Sequence, residues 1–565
     1  MVLFVTGYMA VAMSFASLAP ALLARGFPLG HDTAAHLTYL YLFDAALAQG
    51  QFPVRWVEWI RPGHSQPLFS FYQPGFYYAV QLVHLLVPSL LLSAKLTTLV
   101  AWWSGGAFLY LHLRRLGAWP AMLGVVLFIR APYLILDVFV RAALPEFLAL
   151  ACAPAVLWSL DRSLRSPQIR YPLLLAAASA AMLLCHLPTV LMFLPVYATY
   201  AGAVWLSGEG GGRSVARVTA AAGLGLGLAS FYVLPALLEL HLTKMRTLTS
   251  GYFDYRQHFV EPWQWVRPTW GFGGSEPGPG DGMSFQAGLM QWVAAGGGVA
   301  AAARAGRTGW NHPARWLLYW LGVLAAALFM TSAASGVIWH AVPPLAFIQF
   351  PWRFLSVVSL AVAVVAAHAL SSIRNTAVQA VVVLSVAGGL WWQTQGLLKP
   401  ASYLPPASMY IDNPGWRYAR DATRLAFIEP GYYPSTVVRV PEGDVERWQI
   451  TRGTGTVSPR AVLDDRVVVD LNSTESVELT IRSHGFPGWR VLIDGGPTGW
   501  AYDRDFGFIV VNVPAGAHTI DAAFTDTPVR AWADRISLVS GAFWVASAVG
   551  FALVRLRRRS WALAD

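Results

Sequence analysis

Residues 27–43 read FPLGHDTAAHLTYLYLF and follow directly on an apolar segment that ends near Arg25. His31, Asp32 and His36 therefore stand together beside what should be a membrane surface. Helical spacing brings Asp32, His36, Tyr39 and Phe43 onto one stripe of an amphipathic helix predicted over 32–48. The structural reading of Asp32 is an N-cap, because an acid at a helix start satisfies free N–H groups. The chemical reading is a partly buried carboxylate that takes a proton from an incoming hydroxyl. Metal ligation by His31, Asp32 and His36 is a third, weaker reading.

The rest of the chain supplies the membrane. Of 565 residues, 56% are hydrophobic and 12% charged, with mean hydropathy +0.47; soluble domains carry about 25% charged residues. A hydrocarbon core of about 30 Å takes roughly 20 helical residues. Candidate spans are 2–25, 94–113, 119–136, 145–160, 171–187, 189–206, 217–237, 286–303, 315–332, 354–372, 376–397 and 534–556. The first lacks a basic leader and a clear cleavage site, so it reads as a retained span. Segment 76–92 reads as a helix lying on or dipping into the surface. The net charge of +10 does not form one patch. Its arginines cluster after alternate spans, the positive-inside pattern, and nothing points to nucleic acid. That pattern puts both termini in the cytoplasm and residues 26–93, 137–144, 238–285, 333–353 and 398–533 outside. Cys152 and Cys185 both fall in apolar runs, against a structural disulfide or a cysteine metal site.

Residues 400–530 change character. VERWQITR, RVVVDLN, VELTIRS, WRVLIDG and FIVVNVP are rich in β-branched residues and separated by turns such as DGGPTG and PAGAH. They predict an extracytoplasmic antiparallel β-sandwich before the last helix. Its tryptophans and Tyr502 read as core or rim aromatics, with sugar stacking as the alternative. The expected domains are 1–398 in the membrane with first outer loop 26–93, the β-domain at 399–531, and a terminal helix with basic tail at 532–565.

Other polar groups sit at predicted outer helix ends. In RAPYLILDVFVRAALPEFLAL (130–150), Arg141 and Glu146 read either as an ion pair closing a turn or as a phosphate grip. Arg353 in FIQFPWRFLS holds a lipid phosphate or reaches to the headgroups. Tyr72 belongs to the aromatic cover GHSQPLFSFYQPGFYYA, and His186 and Glu239 end apolar runs. The glycines 223, 225 and 227 read as close helix packing, and GGSEPGPGDG (273–282), which lacks the lysine of a phosphate loop, as a flexible outer loop that serves as a lid.

In order, HDTAAHL, GHSQPLFSFYQPGFYY, APYLILDVFVRAALPEFLAL, CHLPTVLMFLP, LPALLE, DYRQHFVEPWQWVRPTWGFGGS and FIQFPWRFLS resemble the bacterial membrane proteins labelled 6-pyruvoyl-tetrahydropterin synthase-related. PGWRVLIDG and VPAGAHTI resemble the C-terminal part of YfhO-like membrane proteins. Both groups resemble the GT-C superfamily of polytopic glycosyltransferases. With the candidate spans above, the fold expected is a GT-C-like polytopic α-helical bundle of about 12 transmembrane helices, and the resemblance implies a sugar donor on a polyprenyl phosphate such as undecaprenyl phosphate. It also implies a glycan, lipid or protein acceptor in the cell envelope, and reaction on the outer face of the bacterial inner membrane. It places the catalytic acid at Asp32, supported by His31 and His36. Arg141, then Arg353, would bind the donor phosphate, with Glu146, His186, Glu239 and Tyr72 as further site residues. Where many members have two acids, this chain has His31–Asp32, which leaves a divalent cation (Mg or Mn) open. The alternatives are a transporter or flippase of lipid-linked saccharides and a non-catalytic envelope-assembly protein.

Overall fold

A computed structural model describes residues 12–561, apart from 13, 15, 59–64, 279, 309–311, 405–429 and 441–445. Expected span 2–25 lies largely outside the described residues; its end is the short helix Ala19–Leu23. The loop after it carries helices α1 (Thr33–Ala48) and α2 (Gly75–His84). The bundle then runs α3 (Leu90–Leu113), α4 (Ala118–Ile129), α5 (Pro132–Phe139), α6 (Leu144–Arg165), α7 (Arg170–Cys185), α8 (Leu187–Leu206) and α9 (Gly212–Leu238). It continues through α10 (Leu289–Thr308), α11 (His312–Thr331), α12 (Leu355–Ser371) and α13 (Thr376–Thr394), and ends in α14 (Pro528–Trp561).

Among the described residues, eight stretches are long and apolar enough to cross a membrane: α4 with α5, α6, α8, α9, α11, α12 with its preceding turn, α13 and α14. Expected span 171–187 is α7, whose 16 residues fall short of that length. Span 94–113 lies within α3, and span 286–303 overlaps α10, which begins only at Leu289; neither is among the eight. Lys95 Nζ is buried and donates to the carbonyls of Ala24 and Gly26, at 2.7 and 2.5 Å. Segment 76–92 is not a continuous helix: α2 ends at His84, Leu85 and Leu86 stand exposed, and the chain turns into α3. The glycine row does pack helices closely. A Cβ on Gly225 would meet Ala176 O of α7 at 2.8 Å, and one on Gly227 would strike Ser540 of α14.

The helix α1 is less two-faced than its sequence suggests, because bundle and loops cover most of it. Thr33, His36–Leu40, Leu42, Phe43 and Ala46 are all buried. At one end of the bundle the arginine-rich turns meet each other. Asp161 accepts from Arg115, Arg165 and Tyr200, and Arg165 also pairs with Glu209. At the other end the long loops meet the β-domain, so the charge pattern sorts the connections onto two faces.

The β-domain has nine strands: β1 (Trp448–Arg452), β2 (Thr456–Val462), β3 (Arg466–Ser473), β4 (Val477–His484), β5 (Trp489–Ile493), β6 (Gly496–Thr498), β7 (Ala501–Tyr502), β8 (Phe508–Val513) and β9 (Gly516–Phe524). They form two antiparallel sheets, ordered β6-β5-β9-β3-β2 and β7-β8-β4-β1. Strand alternation puts Val467, Val469 and Leu471 of β3 inward against Leu479, Ile481, Ile509 and Val511. Asp494 and Gly495, both at positive φ, make the two-residue turn that pairs Ile493 with Gly496. Trp489 is core: it meets Trp56 of the first loop edge-on at 5.2 Å and packs on Phe524. Tyr502 is exposed beside Trp500.

Several links seat this domain on the bundle, among them an ion pair of Glu58 with Arg447. Gln49 and Glu58 N bond Asp464, Arg55 pairs with Asp526 and Asp534, and Glu239 pairs with Arg530 at 2.8 Å. A two-residue ladder joins Phe27–Pro28 to Tyr403–Leu404, so the start of the expected 399–531 domain belongs with the first loop. The side chain of Arg530 is 0% exposed. Replacing Glu239 with Gln would take away the carboxylate paired with that buried guanidinium, a loss of about 3–5 kcal/mol. Thermal unfolding of the full chain in detergent should show the drop, and an unchanged midpoint would contradict the anchoring role.

Candidate functional site

The acid-bearing loop is fixed by its backbone. His31 N donates to Val140 O at 2.9 Å and Asp32 N to Arg141 O at 2.8 Å. The approach requires Gly30, since a Cβ there would lie 2.7 Å from Val140 O and 2.9 Å from Ala142 N. On the opposite strand Ala142 takes φ +55, a left-handed conformation that costs a non-glycine residue about 1–2 kcal/mol. The two loops are thus held together tightly enough to impose strain.

Asp32 occupies the N-cap position of α1, but its carboxylate makes no capping bond. The turn is closed by Thr33, whose Oγ1 accepts from Gly30 N and donates to Pro28 O, both at 2.8 Å. The Asp32 carboxylate is half-buried, accepts no hydrogen bond from any described residue, and lines a cavity of about 420 Å³. That vacancy of partners is what the N-cap reading does not explain.

Six other expected site residues line the same cavity: His36, Tyr72, Arg141, Glu146, His186 and Arg353. Two do not. His31 is exposed and reaches the carbonyl of Phe272 in the 238–285 loop at 3.1 Å. Glu239 turns away to bond Arg530 and Thr527 where α9 meets α14. His31 thus anchors the covering loop, and Glu239 anchors the β-domain.

The charged end of the cavity is a buried network. Arg141 Nη1 bonds Asp137 and Tyr133 Oη, and its Nη2 bonds Glu146 at 2.8 Å. Glu146 also accepts from Tyr133 at 2.6 Å and lies 3.2 Å from Arg353 Nε. Trp352 lies under Arg141, with its ring centre 4.6 Å from the guanidinium carbon. The expected ion pair of Arg141 and Glu146 therefore exists, and it faces the cavity. Asp137 was passed over in the sequence, although its i, i+4 spacing to Arg141 was a signal. Arg353 bonds Ile348 O and Gln349 Oε1 through Nη1, while Nη2 has no hydrogen bond among the described residues. His186 caps α8 through Nδ1, which receives Thr189 N at 3.3 Å.

His36 sits one turn beyond Asp32, its Nδ1 2.9 Å from Tyr77 Oη and its ring enclosed by Tyr39, Tyr72 and Phe76. Burial pushes its imidazole down to about 4, against a smaller upward pull from Asp32. It is neutral at physiological pH. Tyr72 meets Tyr39 at 5.0 Å and Tyr432 at 5.4 Å, so the segment before the β-sandwich contributes to the aromatic wall.

The opposite wall is apolar. It is built from Leu187, Leu191 and Leu194 of α8, Ala236 and Leu237 of α9, and Phe347. Leu194 is 56% and Leu237 60% exposed, so the cavity opens sideways on the helix surface between α8 and α9. Among the described residues no three His, Cys, Asp or Glu side chains are grouped to hold a metal ion, and His31 and His36 point apart.

With this geometry in hand, comparison with known proteins adds a family. The model of the 6-pyruvoyl-tetrahydropterin synthase-related domain, described as a membrane protein, matches residues 69–395. The chain belongs to this family. The matched region of this 6-pyruvoyl-tetrahydropterin synthase-related protein includes every cavity residue named above except Asp32, His36, Tyr39 and Tyr432. No curated protein matches the chain. Among solved structures, arabinofuranosyltransferase AftD from Mycobacteria is similar over 70% of this chain at 20% identity and TM-score 0.45. The chain spans 27% of that protein's length. ArnT from Cupriavidus metallidurans, bound to undecaprenyl phosphate, is similar over 74% of this chain and 69% of its own, at 12% identity and TM-score 0.36.

The buried His36 predicts a pH effect. An unfolded imidazole takes its proton near 6.5 and the folded one near 4, so the unfolded state binds the extra proton between them. Stability therefore falls as pH drops from 6.5 towards 4, with no contribution from His36 above 6.5. Thermal midpoints measured from pH 7.5 to 4.5 should fall less steeply for His36→Gln than for the unmodified protein.

Proposed function

We propose that the protein is a membrane glycosyltransferase that moves a sugar from a polyprenyl-phosphate donor to an envelope acceptor. The observation that carries this reading is the cavity's two-ended chemistry. A carboxylate that accepts no hydrogen bond from any described residue shares one end with arginines, and exposed leucines open the other end towards lipid. A long hydrocarbon chain fits the apolar side opening, while its phosphate and sugar fit the polar end. The GT-C resemblance of the ordered motifs supports the same assignment. The positive-inside pattern supports placing the cavity and β-sandwich on the extracytoplasmic face of the bacterial inner membrane.

In this mechanism Asp32 removes the proton of an acceptor hydroxyl as its oxygen attacks the anomeric carbon. The bond from that carbon to the phosphate oxygen breaks, its electron pair leaves with the lipid phosphate, and the configuration inverts. Arg353 becomes the first choice for stabilising the departing charge, because its Nη2 has no hydrogen bond among the described residues. Arg141 is committed to Asp137 and Glu146 and acts through its field. Neutral His36 holds the floor beneath Asp32 through Tyr77. The loop at 238–285, tethered by His31, excludes water from above.

Mass spectrometry of lipids that co-purify with the protein should find a polyprenyl-phosphate sugar. With that donor, Asp32→Asn should lose transfer by a factor of about 10²–10⁴ while keeping its thermal midpoint. A fully active Asp32→Asn protein would exclude this mechanism.

A further inference from the structure

Gln349 is one of three described non-glycine residues at positive φ, with φ +66 and ψ −46. Phe350 N donates to Ile348 O across it at 2.7 Å, which closes a three-residue γ-turn of the strained, positive-φ kind. Nothing about a glutamine favours this backbone; the surrounding fold imposes it. The turn places two acceptors on Arg353: Ile348 O at 2.7 Å and Gln349 Oε1 at 3.2 Å, both from Nη1. The other half of the same amide faces the covering loop, where Gln349 Nε2 donates to Leu248 O at 2.9 Å. Gln349, Arg353 and Leu248 all line the cavity.

We infer that Gln349 is a positioning residue that aims Arg353 at the donor phosphate and ties that aim to the covering loop. The inference rests on the phosphate-binding reading of the cavity given above. With Nη1 held by two acceptors and Nε beside Glu146, rotation of the guanidinium is blocked and Nη2 is the edge left for a ligand. The residue type follows from the relay. An amide both accepts from Arg353 and donates to Leu248 O, whereas an ionised glutamate only accepts and a glycine does neither.

Full-length protein in detergent is titrated with undecaprenyl phosphate, undecaprenol and inorganic phosphate by native mass spectrometry, and unfolded thermally in parallel. Gln349→Gly removes the amide and relieves the positive φ, so its thermal midpoint should equal or exceed that of the unmodified protein. Its affinity for undecaprenyl phosphate should fall about tenfold, with undecaprenol binding unchanged. Gln349→Glu should weaken phosphate-lipid binding similarly. Arg353→Gln is the control for the phosphate reading. Normal binding by Gln349→Gly with weakened binding by Arg353→Gln overturns the positioning role and leaves the phosphate site standing. Normal undecaprenyl phosphate binding by both variants overturns the phosphate site itself. Equal loss of undecaprenol binding, or a lowered midpoint, would make Gln349 a packing residue and overturn the inference.

Discussion

A guanidinium as buried as Arg141 is tolerable in this interior only with anions against it, and Asp137 and Glu146 provide them. That pairing dictates the path of the chain between α5 and α6. Asp137 lies in the last turn of α5, Glu146 in the first turn of α6, and both must turn towards one cation within ten residues. The bend takes Ala142 to positive φ, and Pro145 sits in the first turn of α6 as the chain leaves it. Once bent, the loop offers the carbonyls of Val140 and Arg141 to the backbone of His31 and Asp32. The position of the acid is thus a consequence of charge pairing one layer below it.

The β-sandwich acts on the same cavity from above without supplying a charge to it. Its core is an ordinary two-sheet interior, but Trp56 of the first loop is packed into its edge against Trp489 and Phe524. The salt links of Arg55, Glu239 and Glu58 then hold loop, bundle and sandwich as one body. Tyr432 reaches the cavity from the segment leading into the sandwich and meets Tyr72. The aromatic wall is therefore shared by two parts of the chain that are remote in sequence.

Much of this was legible from local patterns. Apolar length marked the bundle, β-branched runs marked β1, β3, β4, β5 and β8, and helical spacing put Asp32 and His36 on one side of α1. Polar residues at helix ends led to Arg141, Glu146, His186 and Arg353, which converge because each is costly to bury alone. The same rule also picked Glu239, whose partner Arg530 lies 291 residues away and answers the cost elsewhere. His31 was chosen for adjacency to Asp32, but neighbours at a helix start point in different directions. Gln349 and Tyr432 escape a sequence reading because their roles come from backbone strain and distant packing, which no local period records, whereas Asp137 carries a local mark in its i, i+4 spacing to Arg141.

The ladder between Phe27–Pro28 and Tyr403–Leu404 sets an order of assembly. The ribosome must add 375 residues after Pro28 before Tyr403 exists to pair with it. At roughly 5–20 residues per second, that is on the order of 20–70 s of synthesis. Through that interval the first loop lacks its ladder partner, so this part of the fold closes only when the last third of the chain begins to arrive.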